Sequence, residues 1–129
     1  MLSATTAVVL SAGAAAATPA LTAPKHLNLS NKDNRQSFTV HKGDEITVRL
    51  TGEQTGTSTW AWSAPTAANR SVLRRDAAST RPNGDATALF HAQAGGTTTL
   101  ESQLRCLPRK PGSACSHAVV QWQVTVKAR

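Results

Sequence analysis

Hydrophobic and polar residues alternate along much of this chain, and the alternation has the period of β-structure. From Glu45 to Leu50, the side chains of Ile46, Val48 and Leu50 fall on one side and Thr47 and Arg49 on the other, which is the pattern of a strand with one buried face. Val119 to Lys127 repeats it more clearly. Val120, Trp122, Val124 and Val126 are predicted to point inward, and Gln121, Gln123, Thr125 and Lys127 outward. Trp60 and Trp62 share a face of a short strand from about Thr59 to Ala64 and are expected to anchor the core. Asp85 to Gln93 and Thr97 to Arg105 are two further strands joined at Ala94-Gly95-Gly96, a tight-turn signal that predicts an antiparallel hairpin. Short runs at Leu27 to Leu29, Ser37 to Val40 and Ser71 to Arg74 complete the set, with turns at Lys42-Gly43-Asp44 and Arg81-Pro82-Asn83-Gly84. Ser63 to Asp85 holds few large apolar side chains and is expected to be mostly loop. About seven or eight short strands without a long segment of helical period predict an all-β sandwich.

Charge divides the chain in two. Of 129 residues, 14 are Lys or Arg and 7 Asp or Glu, for a net charge of +7, yet residues 1–24 carry no ionisable side chain. That first segment is Ala-rich, with an apolar stretch from Ala7 to Ala17 followed by small residues, and reads as a secretory leader. Its apolar stretch is too short for a membrane span, which takes roughly 20 residues. No Lys or Arg follows Met1, so either the start lies upstream or the leader is atypical. Cleavage is expected after Ala16, Ala17, Ala20 or Ala23, which leaves residues 25–129 as one secreted or envelope-associated domain, expected to be monomeric. Its size suits a single modest core.

Cys106 and Cys115 flank Leu-Pro-Arg-Lys-Pro-Gly-Ser-Ala, a stretch that must turn and can bring its ends together. In an oxidising compartment the default is a disulfide. Closing so small a ring stabilises a fold by about 2.7 kcal/mol on the chain-entropy account. The alternatives are a nucleophilic thiol, which would need a base nearby, and a zinc site, for which His117 supplies only a third ligand. No cofactor or metal is expected.

The order of these segments carries a family resemblance. VHKGDEITVRL, a Gly/Thr-rich loop leading into WAW, GDATALFHAQAGGTTTLESQL and a closing WQVTV together resemble the chagasin-type inhibitors of cysteine peptidases, over roughly Ser37 to Lys127. The resemblance implies an immunoglobulin-like sandwich whose three loops at one end wedge into the cleft of a papain-like peptidase. The family's first loop carries an Asn-Pro-Thr-Thr-Gly-Tyr type motif. Here Thr55 and Gly56 align with its Thr-Gly and Thr57 follows, while Glu53 and Gln54 stand on the Asn-Pro side and no Tyr follows. In the third loop an Arg-Pro-Trp type motif is matched only by Arg105, since Cys106-Leu107-Pro108 supplies no aromatic. The middle loop, Arg81 to Asp85, keeps Gly84. The resemblance therefore points to Glu53–Thr59, Arg81–Asp85 and Arg105–Cys115 as the functional edge, and the departures predict weak binding, or none, to papain-like peptidases.

Charge suggests a different partner. Arg105, Arg109 and Lys110 make the third loop basic, and with the Arg74-Arg75 pair they suit an anionic envelope polymer or an acidic protein held electrostatically. Nucleic acid fits poorly, because no aromatic-rich basic stripe offers base stacking. Enzymatic chemistry finds no support either. His26, His41, His91 and His117 fall on separate predicted elements, outside any G-x-S-x-G, H-E-x-x-H or P-loop pattern.

Overall fold

A computed structural model describes residues 23–129; the leader expected over residues 1–24 thus falls almost wholly outside the described residues. Among the described residues, ten strands form two facing sheets. They are β1 (His26–Ser30), β2 (Ser37–Val40), β3 (Glu45–Leu50), β4 (Glu53–Gln54), β5 (Ser58–Trp62), β6 (Thr66–Ala67), β7 (Leu73–Thr80), β8 (Ala86–Ala92), β9 (Gly96–Pro108) and β10 (Val119–Ala128). One sheet has the order β1-β3-β8-β7; the other runs β2-β10-β9-β5-β4, with β6 also paired to β9. The two strands beyond the expected seven or eight are the two-residue ladders β4 and β6, too short to give an alternation.

The core lies between the sheets, where each contributes its alternating apolar face. Ile46, Val48 and Leu50 of β3 and Phe90 of β8 are buried opposite Leu100 of β9 and Trp122, Val124 and Val126 of β10. Trp122 is the central aromatic, 1% exposed, and its indole N–H donates to the Ser30 carbonyl at 3.1 Å. Trp62 is buried too, donating to the Thr51 carbonyl at 3.0 Å. Both indoles thus satisfy the polar group that burial would otherwise strand.

Four expectations are corrected. Trp60 does not join Trp62 in the core but is only half-buried. The segments at Ala86–Ala92 and Gly96–Pro108 are not a hairpin: β8 pairs with β3 and β7, whereas β9 pairs with β10, β5 and β6. Ala94-Gly95-Gly96 carries the chain across the sandwich, because both strands have an inward apolar face that packs against the opposite sheet. Within the segment from Ser63 to Asp85, expected to be mostly loop with a short strand at Ser71 to Arg74, that strand is the eight-residue β7, which starts at Leu73 and runs on to Thr80. It is an edge strand with only Leu73 buried and a bulge between Arg75 and Ala77, so it has no apolar alternation to read. Val120 points to the inward face of β10 yet is 46% exposed.

Among the described residues no helix is long and apolar enough to cross a membrane.

Candidate functional site

Three loops meet at one end of the sandwich, and each is shaped by its own sequence. The first, between β4 and β5, is a tight turn built on Thr55. Its hydroxyl accepts from the backbone N–H of Ser58 at 3.0 Å and lies 2.9 Å from the Ser58 hydroxyl, while its own N–H donates to the Ser58 carbonyl at 2.8 Å. A short hydroxyl side chain that folds back on its own backbone is a common device for fixing a turn. Thr55, Gly56 and Thr57 form the exposed tip.

The second loop joins β7 to β8 through Arg81-Pro82-Asn83-Gly84. The N–H of Gly84 donates to the Arg81 carbonyl at 3.0 Å, and that of Arg81 to the Asp85 carbonyl at 2.9 Å. Gly84 has φ +98° and is buried. A Cβ there would collide with the Trp60 carbonyl oxygen. Glycine is thus required twice over, by conformation and by close approach. The approach has a purpose: the Gly84 carbonyl accepts from the Trp62 N–H at 2.9 Å, fixing the second loop to the strand that carries the first.

The third loop runs from the end of β9 to β10, closed at its base by the Cys106–Cys115 disulfide, with Cα atoms 5.8 Å apart. The pairing expected from spacing is the one formed. At its tip, the Ser113 N–H donates to the Lys110 carbonyl at 3.1 Å, making the turn that Pro111-Gly112 favours.

Hydrogen bonds then tie the loops to one another. Arg109 donates from its backbone N–H to the Thr57 carbonyl at 2.9 Å and from its guanidinium to the Thr55 carbonyl at 2.6 Å. The Gln54 side-chain amide donates to the Pro82 carbonyl at 3.3 Å, and the Gly52 N–H to the Asp85 carboxylate at 2.8 Å. First and third loops are joined through Arg109, first and second through Gln54 and Asp85.

Of the residues singled out in sequence, Thr55, Gly56, Thr57, Gly84, Arg109 and Lys110 therefore lie together at this end. Arg105 does not. It sits on β9 opposite Ala61 and Val119, exposed, with its guanidinium donating to Gln103 at 2.7 Å. Strand β9 continues three residues further than the alternation suggested, which leaves Arg105 on the open face of the six-stranded sheet rather than at a loop tip. The third loop is also less of a free basic tip than its composition indicated. Arg109 is directed onto the first loop, and Lys110 is the cation left exposed at the turn.

Apolar surface at the same end was missed in the sequence. Trp60, Leu104 and Val120 line an open groove of about 480 Å³ with Gly52 and Glu53. Leu107 is 52% exposed and Val119 49%. A signal was available for part of it: adjacent Val119 and Val120 cannot both face inward on one strand.

No family model matches the sequence, and no curated protein matches it. Among solved structures, the chain is similar to the cysteine protease inhibitor EhICP2 from Entamoeba histolytica, with a TM-score of 0.54 and 15% identity over 81% of this chain and 96% of that one. It is similar also to amebosin, with a TM-score of 0.53 and 15% identity over 81% and 98% of the two chains. The fold is shared. The strand framework of this chain thus has a counterpart in both proteins. At this identity the likeness belongs to the framework, and the loops of this chain have to be read from their own chemistry.

Proposed function

We propose that the protein is a secreted, non-enzymatic binding domain that engages a papain-like cysteine peptidase through its three-loop end. The observation that carries this reading is the set of cross-loop hydrogen bonds through Arg109, Gln54 and Asp85. Loops already fixed to one another lose little conformational freedom when they enter a cleft, and that ordering cost otherwise opposes binding. Trp60, Leu107 and Val120 supply apolar contact area beside the tips, in place of the aromatic that the family's third loop carries. The likeness to an Entamoeba histolytica inhibitor supports the same reading, and the disulfide together with the Ala-rich leader supports secretion.

Inhibition kinetics against a panel of papain-like peptidases test it, with Gly56→Trp as the decisive variant. A Cβ at Gly56 meets no atom within 4 Å and the residue is at the exposed tip, so the substitution is expected to block the tip while the fold persists, which circular dichroism checks. The expected result is inhibition competitive with substrate, weakened at least about tenfold by Gly56→Trp. For papain itself, with the first-loop motif changed, inhibition is expected only at about micromolar concentrations or above. Absence of competitive inhibition across the panel, or a Gly56→Trp variant as potent as the parent, would overturn the proposal.

A further inference from the structure

Away from the loop tips, the outer face of the four-stranded sheet forms an open concavity of about 590 Å³. Register explains its lining. Thr47 and Arg49 of β3 stand beside Leu89 and Thr87 of β8, which in turn stand beside Ala77 and Ser79 of β7. These are the residues left outside when Ile46, Val48, Ala88 and Phe90 turn inward. Small side chains at Ala77 and Ser79 leave the floor open, and the Ser79 and Thr87 hydroxyls lie 2.8 Å apart. Arg81, from the turn after β7, lines the same hollow as Arg49.

Both guanidinium groups are exposed, and among the described residues neither is in an ion pair. Asp85, the carboxylate at the rim, has one oxygen on the Gly52 N–H at 2.8 Å and the other on the Asn83 amide at 3.1 Å. It is thus held by the loop and makes no ion pair with either arginine, so two cations face one carboxylate in the hollow. By contrast, the sequence-predicted basic site has two of its three cations engaged, Arg109 with Thr55 and Arg105 with Gln103.

We infer that this concavity is a second binding site, on the outer face of the four-stranded sheet and sharing only Arg81 and Asp85 of the second loop with the three-loop end, and that it takes an acidic polysaccharide. Two guanidinium groups match carboxylate or sulfate oxygens with paired N–H donors. Between them, the Ser79 and Thr87 hydroxyls, 2.8 Å apart, and the Thr47 hydroxyl, 2.7 Å from the His26 ring nitrogen, each keep further hydrogen-bonding capacity for sugar hydroxyls. A floor of small side chains lets a chain of sugar rings lie close to the sheet. An acidic peptide would use the arginines but would have no need of the hydroxyl row.

The test is titration of the protein, at about 0.05 M salt, with polygalacturonate oligomers, heparin oligosaccharides, an acidic peptide and neutral dextran; the low ionic strength limits screening. Arg49→Ala with Arg81→Ala is expected to weaken saccharide binding at least about tenfold. The charge-matched pair Lys42→Ala with Lys127→Ala, both remote from the hollow, is expected to change it less than about threefold. Ala77→Trp fills the floor without altering charge and is expected to weaken binding about as much as the arginine pair. Circular dichroism verifies that each variant is folded. Failure to bind either acidic saccharide, equal losses in the two charge pairs, or an unaffected Ala77→Trp variant would each overturn the inference. So would tighter binding of the acidic peptide, which would assign the hollow to a protein, or a loss centred on Arg109→Ala with Lys110→Ala, which would return the site to the third loop.

Discussion

The two ends of the sandwich are fastened by the same kind of bond and left with opposite surfaces. At the end away from the loops, hydrogen bonds join the residues just before β1 and just after β10 to the turns and strands beside them. Asp44, 7% exposed, accepts from the backbone N–H of Lys25 at 2.9 Å and of His41 at 2.8 Å. Around it, Gly43 donates to the Ala92 carbonyl, Ala92 to that of Asp44, and Lys42 to that of Arg129. At the loop end the bonds run between loops, and Thr57, Leu107, Arg109, Lys110 and Val120 remain exposed. One end seals polar groups inside and holds the fold. The other uses its bonds to hold side chains in place without covering them, which is what a preformed binding edge requires.

A pair of glycines gives the sharpest break in that comparison. Gly43, at the sealed end, and Gly84, at the loop end, both have φ +98°, but a Cβ at Gly43 meets nothing whereas one at Gly84 runs into the Trp60 backbone. Gly43→Ala is expected to cost about 1 kcal/mol, from left-handed strain alone. Gly84→Ala adds a clash that only backbone movement relieves and is expected to cost about 3 kcal/mol or more. Urea unfolding of the two variants compares them directly; equal losses would mean that Gly84 does not pin the second loop. Next in size is the disulfide. Cys106→Ser with Cys115→Ser opens a ring with a sequence separation of 9 and is expected to lower stability by about 2.7 kcal/mol. Amide exchange in the variant should rise over the third loop and at Ser58 and Thr59, and stay unchanged around Asp44.

How much of this was legible in the sequence differs between the ends for a physical reason. Strands β2 and β3 have the bounds that the sequence pattern predicts, β10 extends one residue further, and the inward residues of all three, Val120 apart, meet the core. Edge strand β7, clothed in Arg, Asp, Ala, Ser and Thr, gives no periodic signal because it buries almost nothing. The sheet crossing between β8 and β9 escaped because a Gly-rich turn looks the same whether it returns a strand to its neighbour or sends it to the other sheet. At the loop end, the turns and the disulfide were readable from Gly, Pro and Cys. The partners of Arg105 and Arg109 were not, since a hydrogen bond from Arg109 to Thr55 spans 54 residues and leaves no local trace. The same blindness concealed Arg49 and Arg81, which only register and a turn bring to one hollow.

Asp44 provides the complementary break at the sealed end. Desolvation by burial pushes its carboxyl pKa upward, but the backbone N–H groups of His41 and Lys25 and the positive charges nearby outweigh this and hold it below the ordinary value. Because the folded-state pKa is depressed, its stabilising contribution is complete above the ordinary Asp value of about 4 and is lost as pH falls through the lower folded value. Asp44→Asn is expected to cost about 2 kcal/mol at neutral pH, by weakening two hydrogen bonds to a charged acceptor. It should also flatten the decline in stability below about pH 4. Denaturant titrations across that range check both. A parent and variant with the same acid limb would show that another carboxylate controls it. Peptidase inhibition by this variant should be unchanged, since the substitution lies at the opposite end.

The smallest expected effect on stability is the most informative about binding. Arg109→Met keeps the stem and the backbone N–H bond to Thr57 while removing the guanidinium bond to Thr55, which is exposed. Exposed bonds of this kind contribute less than about 1 kcal/mol, so the unfolding midpoint should scarcely move. If the loops are useful because they are fixed beforehand, the variant must instead order them on binding, and inhibition should weaken by about five- to tenfold with the loss mainly in the dissociation rate. Arg109→Lys separates position from charge: it retains the cation but not the planar geometry that reaches the carbonyl. Weakening by Lys as well as Met would place the role of Arg109 in positioning the first loop. Full potency in the Lys variant would mean that the cation itself meets the partner, and the three-loop end would then be an electrostatic surface rather than a preformed wedge.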